Sequence, residues 1–291
     1  SSDLGGRMTY ALHLVVMLCL YGMLALAANL AIGFGGLLSL SAAAFYGLGA
    51  YMYGILATKA GLPFALALPA TMAGVAAFGG LFAFATLRFR GETFTVATMA
   101  VQMIIFGVFY NWTGVTGGPY GRPVLFGIDF DSSVAFCLLV VTFAAGMMAL
   151  MRILGLTRFA LAIRSVRDDE PAAATLGIAP WRRLALTLVL SAALSALPGA
   201  LFAAYVSYVD PAGFAIGESV LVLAMLVVGG SGNVRGPLAG AALKVLLPES
   251  LRFAGMPSEV AGPMREIIFG ILLIVLMYFK PKGIAGDYAI R

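Results

Sequence analysis

The sequence predicts an all-α polytopic membrane protein of about eight transmembrane segments, some of them broken or re-entrant helices. Of its 291 residues, 62% are hydrophobic and only 11% are charged. The mean hydropathy is +1.00, far above that of soluble domains. The apolar residues also form continuous runs, which favours helices, because strands of a membrane barrel would alternate apolar and polar residues.

Five apolar runs are long enough to cross a bilayer, which takes about 20 helical residues. They extend over Met8 to Ile32, Pro63 to Leu87, Thr93 to Asn111, Ser132 to Met151 and Leu184 to Val206. Three further regions are apolar but interrupted or short: residues 37–57, residues 219–247 and Ile267 to Phe279. Since no linker or change of composition separates them, we expect one transmembrane domain over residues 1–291.

The positions of Lys and Arg predict the orientation, because these residues concentrate in short cytoplasmic loops. Residues 152–183 include six arginines, so we place this loop in the cytoplasm. Lys280 and Lys282 reach the same side only if residues 219–247 form a re-entrant or two-piece segment, which we therefore expect. The side of the N-terminus stays open. Anionic lipid and cytoplasmic partners account for the net charge of +5, so we expect no nucleic-acid partner.

Motifs of enzymes and of nucleotide-binding proteins are absent from the sequence, including H-E-x-x-H, G-x-S-x-G and G-x-x-x-x-G-K-[ST]. Cys19 and Cys137 lie inside predicted spans and indicate no disulfide or metal site. His13 is better explained as a packed or lipid-facing imidazole than as a functional group. We expect no catalytic residue, no metal ligand and no cofactor in this chain, so that ATP with Mg²⁺ would bind to another chain.

Two glycine clusters, each following an apolar run, predict breaks in helices. They lie in the stretches NLAIGFGGLLS (29–39) and LVVGGSGNVRG (226–236), and each glycine inside a helix costs about 1 kcal/mol relative to Ala. The breaks are either tight turns between short helices or a duplicated pair of interrupted helices that lines a substrate path, a common plan in transporters. We favour the transporter. Its candidate path residues are Asn29, Gly35, Gly36, Ser39, Ser41, Tyr46, Gln102, Asn111, Gly230 and Gly232.

The polar side chains inside the predicted spans are uncharged, whereas a proton or ion relay usually needs Asp, Glu, His or Lys. Only Glu218 and Lys244 come near, and both lie close to the ends of predicted segments. We therefore expect the energy for transport to enter from outside this chain.

The stretch RSVRDDEPAAATLGI (164–178) has five ionisable side chains in its first seven residues. One of its three consecutive acids can cap a helix whose first residue is Pro171, and Gly177 can end that helix in the left-handed conformation. We predict a helix of about two turns, roughly 10 Å long. It is either a docking element for a cytoplasmic partner or a solvated connector.

Several blocks of the sequence, between about residues 28 and 247, are similar to blocks of one known family. They are NLAIGFGGLLSLSAAAFYGLGAY, LRFRGETFTVATMA, VTGGPYGRP, AIRSVRDDEPAAATLGIAPWRRLALTLVLSAALSALPGALFA and VGGSGNVRGPLAGAAL. With these blocks the chain resembles the permease subunits of ABC importers for branched-chain and other hydrophobic amino acids, a family that also includes ribose-type sugar permeases. The stretch Leu37 to Ala42 departs from the family, which often shows Q-L-S-L-G-H there.

The resemblance implies a type II-like ABC importer permease in a bacterial inner membrane. It implies four partners: a second homologous permease, two cytoplasmic ATPase subunits and an external solute-binding protein. The cargo would be a branched-chain or other hydrophobic amino acid, or a related small amide or acid, moved by alternating access. The resemblance also implies that the helix around Glu170 to Gly177 enters a groove on the ATPase subunit and transmits its closure. We therefore expect ATPase coupling at Arg164, Arg167, Asp168, Asp169, Glu170, Pro171, Ala172, Leu176 and Gly177.

Two alternatives from other classes remain at this point. The first is a gradient-driven secondary transporter or channel for a small solute, which would need a buried ionisable residue. The second is a membrane-embedded enzyme, which would need paired carboxylates, a histidine cluster or a nucleophile inside a span.

Overall fold

The structure, a computed structural model, describes residues 2–124 and 133–253, together with residues 264, 267–268, 270–271, 274–275 and 283. Its helices are α1 (Ser2–Asn29), α2 (Ala42–Thr58), α3 (Phe64–Thr86), α4 (Glu92–Asn111), α5 (Thr113–Thr116), α6 (Ser133–Leu156), α7 (Arg158–Asp168), α8 (Glu170–Thr175), α9 (Pro180–Val206), α10 (Ile216–Gly229) and α11 (Arg235–Phe253). The predicted last segment, Ile267 to Phe279, lies largely outside the described residues.

Five of the described helices are long and apolar enough to cross a membrane, and they coincide with the five long runs of the sequence. They are Tyr10–Phe34, Phe64–Thr86, Glu92–Asn111, Val134–Leu156 and Pro180–Val206. The all-α polytopic class is thereby confirmed. The total of eight segments stays a prediction, because α2 has 17 residues and α10 has 14.

The centre of the bundle is formed by α1 and α9, in which 72% and 67% of the most apolar stretch is buried, against 33% or less in the other three long helices. Small residues allow close packing there. A Cβ atom at Gly49 of α2 would lie 2.5 Å from the carbonyl oxygen of Ala196 in α9. Gly199 of α9 meets the carbonyl of Tyr46 in the same way. The pair α2 and α9 therefore depends on its glycines.

The first glycine cluster interrupts the chain as predicted. After Asn29, α1 continues as a π-helical turn, Leu30–Phe34, and no helix is present again until α2 begins at Ala42. Gly36 has a φ of +67°, a conformation that L side chains rarely adopt. The break thus exposes backbone groups that other parts of the chain must satisfy.

The second glycine cluster joins α10 to α11 in an antiparallel hairpin, so the predicted interruption of residues 219–247 is present, while their path through the membrane stays a prediction. Gly230 and Gly232 have φ values of +97° and +92° in the turn. Gly236 and Gly240 of α11 lie directly against the backbone of Gly230 and Met225. Side chains at either position would push the two helices apart, so this G-x-x-x-G pair serves packing.

A short antiparallel pair of strands, β1 (Arg122–Pro123) and β2 (Tyr208–Val209), ties the loop after α5 to the end of α9. The one-turn 3₁₀-helices Gly118–Tyr120 and Pro211–Phe214 flank these strands. Asp210 caps the second of them, and its carboxylate accepts a hydrogen bond from the Gly213 N–H at 3.1 Å.

Candidate functional site: the α8 helix and the two helix breaks

The charged stretch forms α8, a helix of six residues whose two ends are both capped. The Asp169 carboxylate accepts a hydrogen bond from the Ala172 N–H at 2.9 Å, so Asp169, of the three candidate acids, is the N-cap. This makes Glu170 the first helical residue and Pro171 the second. The prediction that Pro171 comes first was wrong by one position, because the cap lies one residue earlier than that prediction requires.

The C-terminal end of α8 follows the prediction for Gly177, which has a φ of +80°. The Gly177 N–H donates to the Ala174 carbonyl at 3.0 Å, and the Ile178 N–H donates to the Ala173 carbonyl at 3.1 Å. These two bonds are those of a Schellman motif. A helix of about 9 Å, at about 1.5 Å per residue, is thereby delimited at each end.

Most of the surface of α8 is exposed. Only Ala173 is buried among its six residues, and Leu176, directly after the helix, is 78% exposed. Glu170 makes a bidentate ion pair with Arg90, with both N–O distances at 2.8 Å. Arg90 lies between α3 and α4, so this pair connects α8 to the start of α4. A cavity of about 320 Å³ separates α8 from the segment that begins at Gly36.

Helix α7, directly before α8, contacts both glycine breaks through two arginines. The Arg167 guanidinium donates to the Gly33 carbonyl at 2.8 Å, and its aliphatic stem packs where a side chain at Gly36 would lie. The Arg164 guanidinium lies 4.7 Å from the centre of the Phe34 ring, and it is 3.5 Å from the Gly232 carbonyl oxygen. Arg167 also pairs with Asp168 at 2.9 Å.

The two breaks contact each other through Asn29, which is 1% exposed. Its side-chain oxygen accepts from the Gly232 N–H at 3.1 Å, and its side-chain nitrogen donates to the Asn233 carbonyl at 2.8 Å. Both partners are backbone groups that the second break leaves without helical partners. Asn29, predicted to line the path, thus joins the two breaks.

Two threonines of α4, which sequence reasoning missed, hold the non-helical segment after the first break. The Thr95 hydroxyl donates to the Leu38 carbonyl at 2.9 Å, and the Leu40 N–H donates to the Thr98 hydroxyl at 3.1 Å. Their spacing of three residues places both on one face of α4. That spacing, in an otherwise apolar helix, was the available signal.

Gln102 lies on the same side of α4 and is 1% exposed. Its amide donates to the Phe214 carbonyl at 2.9 Å, and its oxygen lies 3.4 Å from the Ser219 hydroxyl. That hydroxyl also accepts from the Ala43 N–H, at the start of α2, at 2.9 Å. Ser219 was likewise missed. The predicted path residue Gln102 therefore belongs to a polar network joining α2, α4 and α10.

Ser39 and Ser41 are both buried, and their hydroxyl oxygens are 2.7 Å apart. They line a cavity of about 10 Å³ with Ser191 and Ser195 of α9, room for about one water molecule. Tyr46, five residues after Ser41, is also buried, and the centre of its ring lies 5.3 Å from that of Phe214.

Two of the remaining predicted path residues differ in their surroundings. Gly35 lies against the Ala31 carbonyl, inside the first break. Asn111 lies at the exposed end of α4, where its amide donates to the Gly107 carbonyl of its own helix at 2.8 Å. Asn111 is therefore not brought together with the other candidates.

Glu218 and Lys244 form an ion pair across the α10–α11 hairpin, and the Lys244 side chain is 3% exposed. The Lys244 ammonium also lies 3.2 Å from the centre of the Tyr21 ring, a favourable position for a cation. The expectation that charged side chains lie only near the ends of segments was thus wrong for this pair. The two charges lie on facing helices that the hairpin brings together, which segment ends in a linear sequence do not reveal.

Comparison with known proteins gives consistent matches. The family model described as branched-chain amino acid transport system / permease component matches residues 10–277. The permease protein LivM of the high-affinity branched-chain amino acid transport system of Escherichia coli is 32% identical over 294 residues, covering 91% of this chain and 67% of the relative. The LivM protein of Salmonella typhimurium is 30% identical, covering 94% and 69%.

A shorter match is found with LivH, a permease protein of the same Escherichia coli system, which is 32% identical over 148 residues, covering 50% of this chain and 46% of LivH. No solved structure matches the chain.

Proposed function

The chain belongs to the family of branched-chain amino acid transport permease components, and from this premise we propose that it couples ATP hydrolysis on partner subunits to import of a small solute. It is a multi-pass membrane protein and a permease. The proposed assembly contains a second homologous permease, two cytoplasmic ATPase subunits and an external solute-binding protein, in a bacterial inner membrane. ATP and Mg²⁺ would bind to the ATPase subunits.

The observation that carries this proposal is the continuous set of contacts from α8 to the helix breaks. Helix α8 is exposed and capped at both ends, as a docking element requires. Helix α7 precedes it, and its Arg167 bonds the Gly33 carbonyl of the first break. A displacement of α8 by an ATPase subunit would therefore move groups bonded directly to that break.

A second route leads from α8 to the same segment. The Glu170–Arg90 pair connects α8 to the start of α4, and Thr95 of α4 holds the Leu38 carbonyl. The segment after the first break is thus attached to α7 on one side and to α4 on the other. Because both attachments end at α8, motion of this small helix would act on the segment from two directions.

The proposed path runs beside this segment, past the paired hydroxyls of Ser39 and Ser41. Their cavity of about 10 Å³ is far too small for an amino acid, so the path is closed at this point. Alternating access would open it. Hydroxyl groups and aromatic rings without a charge suit a small hydrophobic amino acid, or a related small amide or acid, whose charges the open path would keep hydrated.

The coupling role is tested at Leu176, which is exposed after α8 and contacts little of its own chain. Leu176→Glu should lower ATP hydrolysis stimulated by the binding protein, because a charge would face the ATPase groove. Leu161→Glu is the matched control, since Leu161 is 60% exposed on α7 in the same loop. The assay is ATPase activity of the reconstituted assembly. Equal activities of the two variants would contradict docking through α8.

A further inference from the structure

A cavity of about 600 Å³ lies between the end of α6, helix α7 and the turn before α11. Three arginines line it, Arg152, Arg164 and Arg235, and no acidic residue does. The remaining wall includes apolar side chains such as Met151 and Leu156. Its volume is that of ordinary ligand sites, and its charge is wholly positive.

The positive charge in this cavity is not compensated within the part of the chain that the structure describes. Arg152 and Arg235 make no ion pair there. Arg164 contacts only neutral partners, the Phe34 ring and the Gly232 carbonyl. Arg235 is also the first residue of α11, a 19-residue helix whose amino-terminal end adds positive potential. Like charges sharing one cavity repel, and a bound anion would relieve that repulsion.

The surroundings of the cavity indicate which anion it takes. It lies at the end of α6 that enters the arginine-rich loop, which the distribution of basic residues places in the cytoplasm. The neighbouring surface of α6 is strongly apolar: Ile153 is 62% exposed and Leu156 is 87% exposed. Acyl chains can lie along this surface while a phosphate group lies among the arginines. Free phosphate or an acidic protein segment has no acyl chain to pack against the apolar surface.

We propose that this cavity binds the phosphate headgroup of an anionic phospholipid from the cytoplasmic leaflet. Arg152 and Arg235 contact the phosphate from two sides, as basic pockets between transmembrane helices do. Arg164 is the third contact and also lies against both helix breaks. A bound lipid therefore stabilises α7 in its contact with the breaks, which makes the proposed coupling dependent on anionic lipid.

The test is lipid binding by the purified permease pair, measured by native mass spectrometry during titration with phosphatidylglycerol, with phosphatidylcholine as the neutral lipid. Each of Arg152→Gln and Arg235→Gln should weaken phosphatidylglycerol binding about fivefold, and the double variant about thirtyfold, since each arginine near an anionic headgroup contributes about 1 kcal/mol. Arg182→Gln is the matched control, an exposed arginine of the same loop outside the cavity. The elution profile of each variant verifies folding.

Retained phosphatidylglycerol binding in the double variant would overturn the proposal, and so would an equal loss in Arg182→Gln. A parallel titration with inorganic phosphate distinguishes the sources of the anion. If millimolar inorganic phosphate displaces phosphatidylglycerol from the wild type, and shortening the acyl chains does not weaken lipid binding, the site is one for free phosphate and the lipid proposal is wrong. The same variants are also purified with the ATPase subunits. If the double variant loses those subunits while keeping the lipid, the cavity is a protein docking site, and the lipid proposal is wrong.

Discussion

Asn29→Ala is the change that most directly perturbs the contact between the two breaks. It removes the acceptor of the buried Gly232 N–H and the side-chain donor to the Asn233 carbonyl. An unsatisfied buried polar group costs about 1–3 kcal/mol. Because Asn233 is only half-buried, water can replace part of its lost bond. We therefore expect the variant to lose about 2–4 kcal/mol of unfolding free energy.

The assay for Asn29→Ala is hydrogen exchange of the peptide that contains residues 229–236, in the detergent-purified protein. A loss near 2 kcal/mol corresponds to about thirtyfold faster exchange where exchange follows local opening. Asn111→Ala is the matched control, since Asn111 is exposed and bonds a carbonyl of its own helix. Its substitution should leave this peptide unchanged. Equal exchange of the Gly232 amide in the two variants would refute the role given to Asn29.

Three further predictions follow from the same contacts. Arg167→Gln should lower stimulated ATP hydrolysis about tenfold, since a hydrogen bond from a charged donor contributes about 1.5–3 kcal/mol, while Arg158→Gln, on the same helix, should not. Gly240→Ala should destabilise the protein in thermal unfolding by about 1–3 kcal/mol, because its methyl group would meet the Met225 backbone, whereas Gly146→Ala, which faces open space, should not. Lys244→Met should lower the free energy of unfolding by about 3 kcal/mol in the same assay, because it leaves the Glu218 carboxylate unpaired. Adding Glu218→Gln should recover most of that loss. If the double variant does not recover, the ion pair is not what stabilises the hairpin.

The helices and their ends could be predicted because the signals for them are local. Twenty-residue apolar runs identify the long spans, and an acid, a proline and a glycine at fixed spacing identify α8 with its two caps. The breaks at Gly36 and Gly230 follow from glycine clusters for the same reason. The register of α8 was wrong by one residue, since three consecutive acids can each serve as a cap and Asp169 is the one whose carboxylate accepts from the Ala172 N–H.

The contacts that assemble the site could not be predicted, since they join residues far apart in the sequence. Asn29 reaches Gly232 across 203 residues, and Arg167 reaches Gly33 across 134. Lys244 appeared to lie at the end of a segment until the hairpin placed it opposite Glu218. Asn111 shows the converse: a polar residue at the end of a span looked like a path residue and proved to lie at an exposed helix end.

The central claim, that this permease moves its solute only when partner ATPases act on α8, is tested most directly by uptake into proteoliposomes. The permease pair is reconstituted with its binding protein, with and without the ATPase subunits, and uptake of labelled leucine is measured with ATP inside, and separately under a pH gradient without ATP. We predict uptake only with both ATPase subunits and ATP. Uptake by the permease alone, driven by the pH gradient, would contradict the account and favour a gradient-driven carrier.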